Sequence, residues 1–364
     1  MNTSGKLQLS TIITVLVLLV LSLIIKLISY YPNWIEIYYS RGIYPYISSF
    51  YRTLFGWIPF SIGDILYFLA GSYLLYYAYK TIKVIANKQL LQVNYFKRIK
   101  RTFYIVSTVY IYFNVMWGLN YNRPGIASQL NLSPQLHNEA DLKMITSDLI
   151  EKVNKTRLSL HAKEIKYKPY QAIFNQAQKA YSKVGLEYPF MEYKTSSVKK
   201  SIYGRLGKYV GFLGYYNPFT GEAQLNLTIP QFLLPYVSCH EMAHQLGYAS
   251  ESEASFVGYL AAVHSDDSLF HYSIYFDLYT YANNELYKRD SVAAKNNYKL
   301  LDPLVKSDLK VLKTYIEQSK NPIEPIIKIF YDHYLKANQQ SNGMNSYNEV
   351  VSWLIAYKKK YGKI

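Results

Sequence analysis

The sequence predicts a mainly α protein in two parts: three transmembrane helices within residues 1–119, then a mostly helical domain over residues 120–364 carrying a small β-hairpin or sheet. Three observations lead there. Half of the 364 residues are hydrophobic, and they crowd into blocks before about residue 119. Helical spacing of apolar positions recurs through the remainder. One turn signal, NPFTG (Asn217 to Gly221), separates two short runs able to pair as a hairpin.

The first element is a span at about 9–29. Residues 7–25, LQLSTIITVLVLLVLSLII, carry no charge, and about 20 helical residues cross a hydrocarbon core of roughly 30 Å. Lys26 near its end can snorkel to the headgroups. No short apolar region with an A-x-A-like site is present, so the segment is expected to be retained rather than cleaved. A second span is expected at 62–79, after Pro59 and Ser61 and with Asp64 at its mouth, and a third at 102–119. Both blocks are rich in the Tyr and Trp that settle at membrane interfaces.

Charge then suggests a topology. Between blocks two and three stand Lys80, Lys83, Lys88, Lys97, Arg98, Lys100 and Arg101 with no acidic residue, whereas the connector from Tyr31 to Gly56 holds Arg41, Arg52 and Glu36. The positive-inside rule places residues 80–101 in the cytoplasm, with the amino terminus inside and the carboxy-terminal domain outside the cytoplasmic membrane. The formal charge of +16 is absorbed by the same reading: residues 1–101 hold 11 basic and 2 acidic residues, which argues for a lipid bilayer as partner and against nucleic acid.

From residue 120 onward the composition is that of a soluble domain, long enough for its own core. Helices are expected at 138–160, 168–184, 267–289 and about 346–360. The hairpin falls in Tyr209 to Asn226, with Tyr209–Leu213 or Glu222–Leu227 as its edge. The single cysteine, Cys239, has no disulfide partner and no CxxC neighbour, so it is read as a packing residue.

The chemistry lies in His240-Glu241-Met242-Ala243-His244, a helix ended by Gly247. Two histidines four apart on a helix project from one face, one turn apart, so their nitrogens can converge on one tetrahedral Zn2+. Glu241, beside the first, is placed to take a proton from water activated by the metal and to return one to a leaving amine. An open zinc site needs a third protein ligand, and Glu251 and Glu253 both follow Gly247. Ser250 with Glu253 has the spacing of a capping box, which would begin a second helix there. A His at position 250, as metzincins require, is absent.

Together with WGLNYNR (117–123), GYYNPFTGEA (214–223), HEMAHQLGYASESEASF (240–256) and NGMNSYNEV (342–350), these residues resemble a bacterial multi-pass membrane family, domain of unknown function 3810. The similarity runs from PFSIGDILY (59–67) to the tail, and HEMAHQLG with ExEA is its most specific part. The resemblance implies a zincin-like, gluzincin-type domain in which His240, His244 and Glu251 are metal ligands and Glu241 the base. Glu251-Ser-Glu-Ala254 is similar to the arrangement in which the third ligand stands three residues before an Ala. Ser255 departs from the Asn or Asp often found next. Zincins also lay substrate along an edge strand and use a later His or Tyr to stabilise the oxyanion. Tyr259, His264 and His271 lie downstream, and His264 is expected on a helix surface.

The resulting expectation is a membrane-anchored zinc metallopeptidase hydrolysing peptide bonds of a peptide or protein substrate outside the cytoplasmic membrane. The alternative is a non-catalytic zinc-binding envelope protein. Intramembrane proteolysis is disfavoured because the motif lies far beyond the last expected span, and transport because no inverted repeat appears.

Overall fold

The computed structural model describes residues 3–88, 94–133, 137–160, 165, 167–340, 343 and 349–364. It begins with helix α1 (Thr3–Ile28), within which Leu9–Ile28 is long and apolar enough to cross a membrane and is almost wholly unburied. A helix of this kind at an amino terminus is what a membrane anchor or a signal sequence is made of.

Among the described residues it is alone in this, so three expected spans become one. Blocks two and three do form helices, after a helical stretch Ile35–Ile43 and α2 (Tyr44–Gly56): they are α3 (Ile62–Ala86) and α4 (Tyr95–Met116). The helix α4 spends its first two turns on Lys97, Arg98, Lys100 and Arg101 and stops at Met116, leaving about 15 uncharged residues, or roughly 22 Å, short of a hydrocarbon core. Along α3, Asp64, Gly71, Ser72 and a series of tyrosines dilute the apolar run, and its first turn is docked into the rest of the protein. The multi-pass topology inferred from the basic connector loses its basis with the two spans.

That docking is specific. Ser61 caps α3 by accepting from the Asp64 amide, and the Glu222 carboxylate accepts from the amides of Ile62 and Gly63 at 3.1 and 2.6 Å, an anion at a helix amino terminus. The buried Asp64 carboxylate in turn accepts from the Ile202 amide at 2.7 Å and from the Tyr215 hydroxyl.

The remaining chain is mainly helical. It runs through α5 (Gly125–Leu130), α6 (Glu139–Ser159) and α7 (Tyr170–Glu187), then a small sheet, then the helix pair that carries the histidine motif. The sheet holds β1 (Val198–Lys200), then, after the short α8 (Gly204–Val210), β2 (Gly214–Asn217) and β3 (Glu222–Leu225). The NPFTG turn makes the expected hairpin, with Asn217 opposite Glu222 and Gly214 opposite Leu225. Its edges differ from expectation. Strand β1 pairs parallel to β3 on the other side, so Glu222–Leu225 is central, Tyr209 and Val210 are helical, and β2 is the free edge of the hairpin.

The motif helix is α9 (Leu234–Gln245), followed by α10 (Glu251–Val263), α11 (Ser268–Arg289), α12 (Ser291–Leu300), α13 (Pro303–Ser319), α14 (Glu324–Ala337) and α15 (Val350–Tyr361). The expected helices at 138–160, 168–184 and 267–289 match α6, α7 and α11. In the tail, residues 344–348 lie outside the described residues, and with them most of NGMNSYNEV. One core joins α6, α7, α9, α10, α11 and α15, with Cys239 fully buried inside it as a free thiol. A second, smaller cluster of Ile25, Ile35, Tyr39, Tyr44, Trp117, Leu119 and Ala249 ties the first helices to the turn after α9.

Candidate metal centre

Helix α9 carries Pro235 in its first turn, where a missing N–H costs nothing, and ends before Gly247. Gly247 has φ +87°, and a Cβ there would lie 2.8 Å from the Tyr44 ring, so only glycine lets the chain reverse at this point. The last carbonyls of a helix need outside donors, and residues from the amino-terminal helices supply them. Ser48 Oγ and Tyr44 Oη donate to the Gln245 carbonyl at 2.6 and 3.1 Å, and Trp117 Nε1 donates to the His244 carbonyl at 3.3 Å. Inside the fold, Gln245 donates to the carbonyls of Ser197 and Gly221 and accepts from the Tyr193 hydroxyl.

The structure brings His240, His244 and Glu251 together: one ligand atom from each lies within 4.8 Å of the others. Glu251 Oε2 is 3.2 Å from His240 Nε2 and 3.5 Å from His244 Nε2, and the two imidazole planes stand 86° apart. Ligand atoms about 2.0–2.1 Å from a tetrahedral zinc are separated by roughly 3.3 Å. The donor set therefore fits such an ion. Neighbours orient each ligand: His244 Nδ1 faces the Tyr248 carbonyl at 2.7 Å, His240 Nδ1 meets Ser255 Oγ at 3.3 Å, and Tyr331 Oη donates to Glu251 Oε1 at 2.9 Å. Because Nδ1 of His244 faces an acceptor it carries a proton, so Nε2, 3.5 Å from a carboxylate oxygen, calls for either a second proton or a metal cation between them.

The electrostatics express the same demand for positive charge. Burial lowers the His244 pKa but is outweighed by Glu251, Glu241 and the Tyr248 carbonyl, which raise it to about 9. Burial lowers that of His240. For Glu251, burial pushes upward, yet the two histidines hold the carboxyl well below its usual range. Glu241 is pushed up to about 8 by burial, with His244 pulling down and Glu251 pushing up. Its Oε2 is buried without a hydrogen-bond partner, and a Cβ at Gly214 would come within 2.6 Å of Oε1. The carboxylate thus lies against Gly214 of β2.

Ser250 and Glu253 do not form the expected capping box. Ser250 is the N-cap residue of α10 but its hydroxyl pairs with Ser252, while the buried Glu253 carboxyl accepts from the Ile126 amide at 2.9 Å. Glu253 lies outside the three-residue cluster. Ser255 reaches His240.

A cavity of about 1040 Å3 opens over these residues, walled by β2, the end of α4, α9, α11 and α14. Of the downstream residues weighed as oxyanion donors, none lines it: Tyr259 is buried in the core, His264 bonds Glu187, and His271 faces the Ser265 carbonyl. Tyr236, Asp277, Tyr281 and Tyr331 line it instead. Tyr236 was readable one turn before His240, and Asp277 as one of two acids in an aromatic-rich helix; nothing near Tyr331 marks it in the sequence.

A family model described as "Protein of unknown function (DUF3810)" matches residues 39–355. Neither curated proteins nor solved structures returned a match.

Proposed function

The chain belongs to the DUF3810 family, and from the geometry around His240 we propose that it is a zinc-dependent peptidase held to a membrane by Leu9–Ile28. One observation carries the reading: a buried carboxylate oxygen of Glu241, without a partner, stands beside a His–His–Glu cluster in a cavity bordered by β2, an edge strand among the described residues. When bound, zinc supplies a Lewis acid that polarises a carbonyl and acidifies water. The chain's own groups do the rest. The backbone of Gly214–Tyr216 offers an extended peptide a strand to pair with, which brings a scissile bond past Glu241. Glu241 takes a proton from the attacking water and passes it to the leaving amine.

The structural-zinc alternative is disfavoured by the donor set, since structural sites close with four protein ligands and three are grouped among the described residues. The test is Glu241→Gln, which keeps the side-chain shape and removes the base. Peptide hydrolysis by the purified full chain is expected to fall about 10²- to 10⁴-fold in kcat; full retained activity sinks the reading.

Two smaller predictions follow the same geometry. Gly214→Ala places a methyl against Glu241, and a displacement of about 1 Å is expected to lower kcat on the order of 100-fold with metal content unchanged. Tyr331→Phe removes the hydrogen bond that holds Glu251, so zinc affinity in a chelator competition should drop about tenfold.

A further inference from the structure

In the wall of the same cavity, α11 presents a second polar group that peptide hydrolysis does not use. Asp277 lines the wall near Tyr236 and Tyr281, and its Oδ2 is buried without a hydrogen-bond partner; the Tyr236 hydroxyl is also buried, with the Ser255 hydroxyl beside it. Burying a carboxyl in this way costs stability in the empty protein unless something completes it. No cation of the wall does so. Among the described residues, Lys328 is the one Lys or Arg that lines the cavity, and it is paired with Glu324 at 2.5 Å. The Tyr236 ring stands 6.1 Å from the His240 ring, so the acid and the histidine cluster flank a single aromatic residue.

We propose that Asp277, with Tyr236 and Tyr281, is a subsite for a primary ammonium group carried by the substrate. The inference rests on the peptidase reading of the same cavity and names its substrate class. An ammonium has three donors and no acceptor, matching a carboxylate with an unpartnered oxygen and a nearby tyrosine hydroxyl that can accept, and aromatic walls favour a cation over an anion. A substrate carboxylate is repelled here, and an apolar side chain leaves Asp277 uncompensated. Burial pushes the Asp277 pKa up to about 7, and a bound ammonium stabilises its ionised form. The ammonium has two sources in a peptide, a free amino terminus or a lysine-like side chain.

Four probes separate them: the hydroxamates of norleucine and of lysine, each with the α-amine free or acetylated, titrated calorimetrically into the detergent-solubilised, zinc-loaded full chain. At least one ammonium-bearing probe is expected to bind about 10- to 100-fold more tightly than acetyl-norleucine hydroxamate. Preference for the free α-amine identifies an amino-terminal subsite, and preference for acetyl-lysine a side-chain subsite. In Asp277→Asn and Asp277→Leu the margin should vanish while acetyl-norleucine hydroxamate binds as before, and both variants should melt no lower than the wild type. Equal binding of all four to the wild type, or a margin that survives in the variants, overturns the proposal. A metal-independent pair, n-hexylammonium and n-hexanol, separates this from the zinc reading. If no hydroxamate binds but hexylammonium is preferred and the preference is lost in Asp277→Asn, the subsite stands and the zinc reading fails. No preference in that pair overturns the subsite.

Discussion

Elemental analysis of the detergent-purified full chain is expected to return about one zinc per chain, and the His240→Ala and Glu251→Ala variants to have lost it. The expectation rests on spacing: Glu251 Oε2 lies 3.2 and 3.5 Å from the two Nε2 atoms, the separation of neighbouring ligands around one small ion. Changes to groups that only orient a ligand cost about 10- to 100-fold in affinity, so removing one of three ligands should cost more. Glu241→Gln supplies the contrast, because Glu241 lies outside the cluster and its loss should leave the metal in place while hydrolysis falls. Folded wild-type protein without zinc would overturn the centre. Glu253→Gln serves as a second control and should retain zinc, since that carboxyl is engaged with the Ile126 amide.

The other large effect concerns stability. Arg123→Met is expected to destabilise the fold by about 3–5 kcal/mol, read as a fall in melting temperature, because it strands a buried charge. Arg123 and Glu36 form a bidentate pair, Nε to Oε2 at 2.7 Å and Nη2 to Oε1 at 3.0 Å, with side chains 2% and 9% exposed. Gln129 donates to the same carboxylate at 2.9 Å. The guanidinium also donates to the Gly247 carbonyl and lies over the Tyr248 ring, whose backbone carbonyl orients His244. Zinc affinity should therefore weaken along with stability. The double variant Arg123→Met/Glu36→Leu removes both charges and should recover most of the loss. A single variant that melts with the wild type would show that the pair contributes nothing.

The parts of the site visible in the sequence are those that sit close together along the chain. His240, Glu241 and His244 occupy one face because helix geometry repeats every 3.6 residues, and Glu251 reaches them because Gly247 turns the chain within a few residues. The same locality explains the hairpin, whose turn residues are contiguous. Ser250 and Glu253 have the spacing of a capping box, but Glu253 finds a better-placed donor in Ile126, over a hundred residues away. The span count differs because an apolar run does not state where its helix begins and ends: α4 is partly charged and stops early, and the first turn of α3 is spent on Glu222 and Asp64 contacts.

By itself, then, the sequence determined the family resemblance, the predominance of helix, the amino-terminal apolar helix and the His–Glu–His–Glu order of the centre. Each of these follows from short-range periodicity or composition. Only the tertiary structure decided that β2 is the free edge beside Glu241, that Tyr331 holds Glu251, that Asp277 faces the same cavity, and that Arg123 of the WGLNYNR motif pairs with Glu36 to brace the turn after the histidines. Those are contacts between segments many tens of residues apart. Their partners are selected by packing and by the cost of leaving a buried charge or hydrogen-bonding group unmatched, which no local pattern encodes.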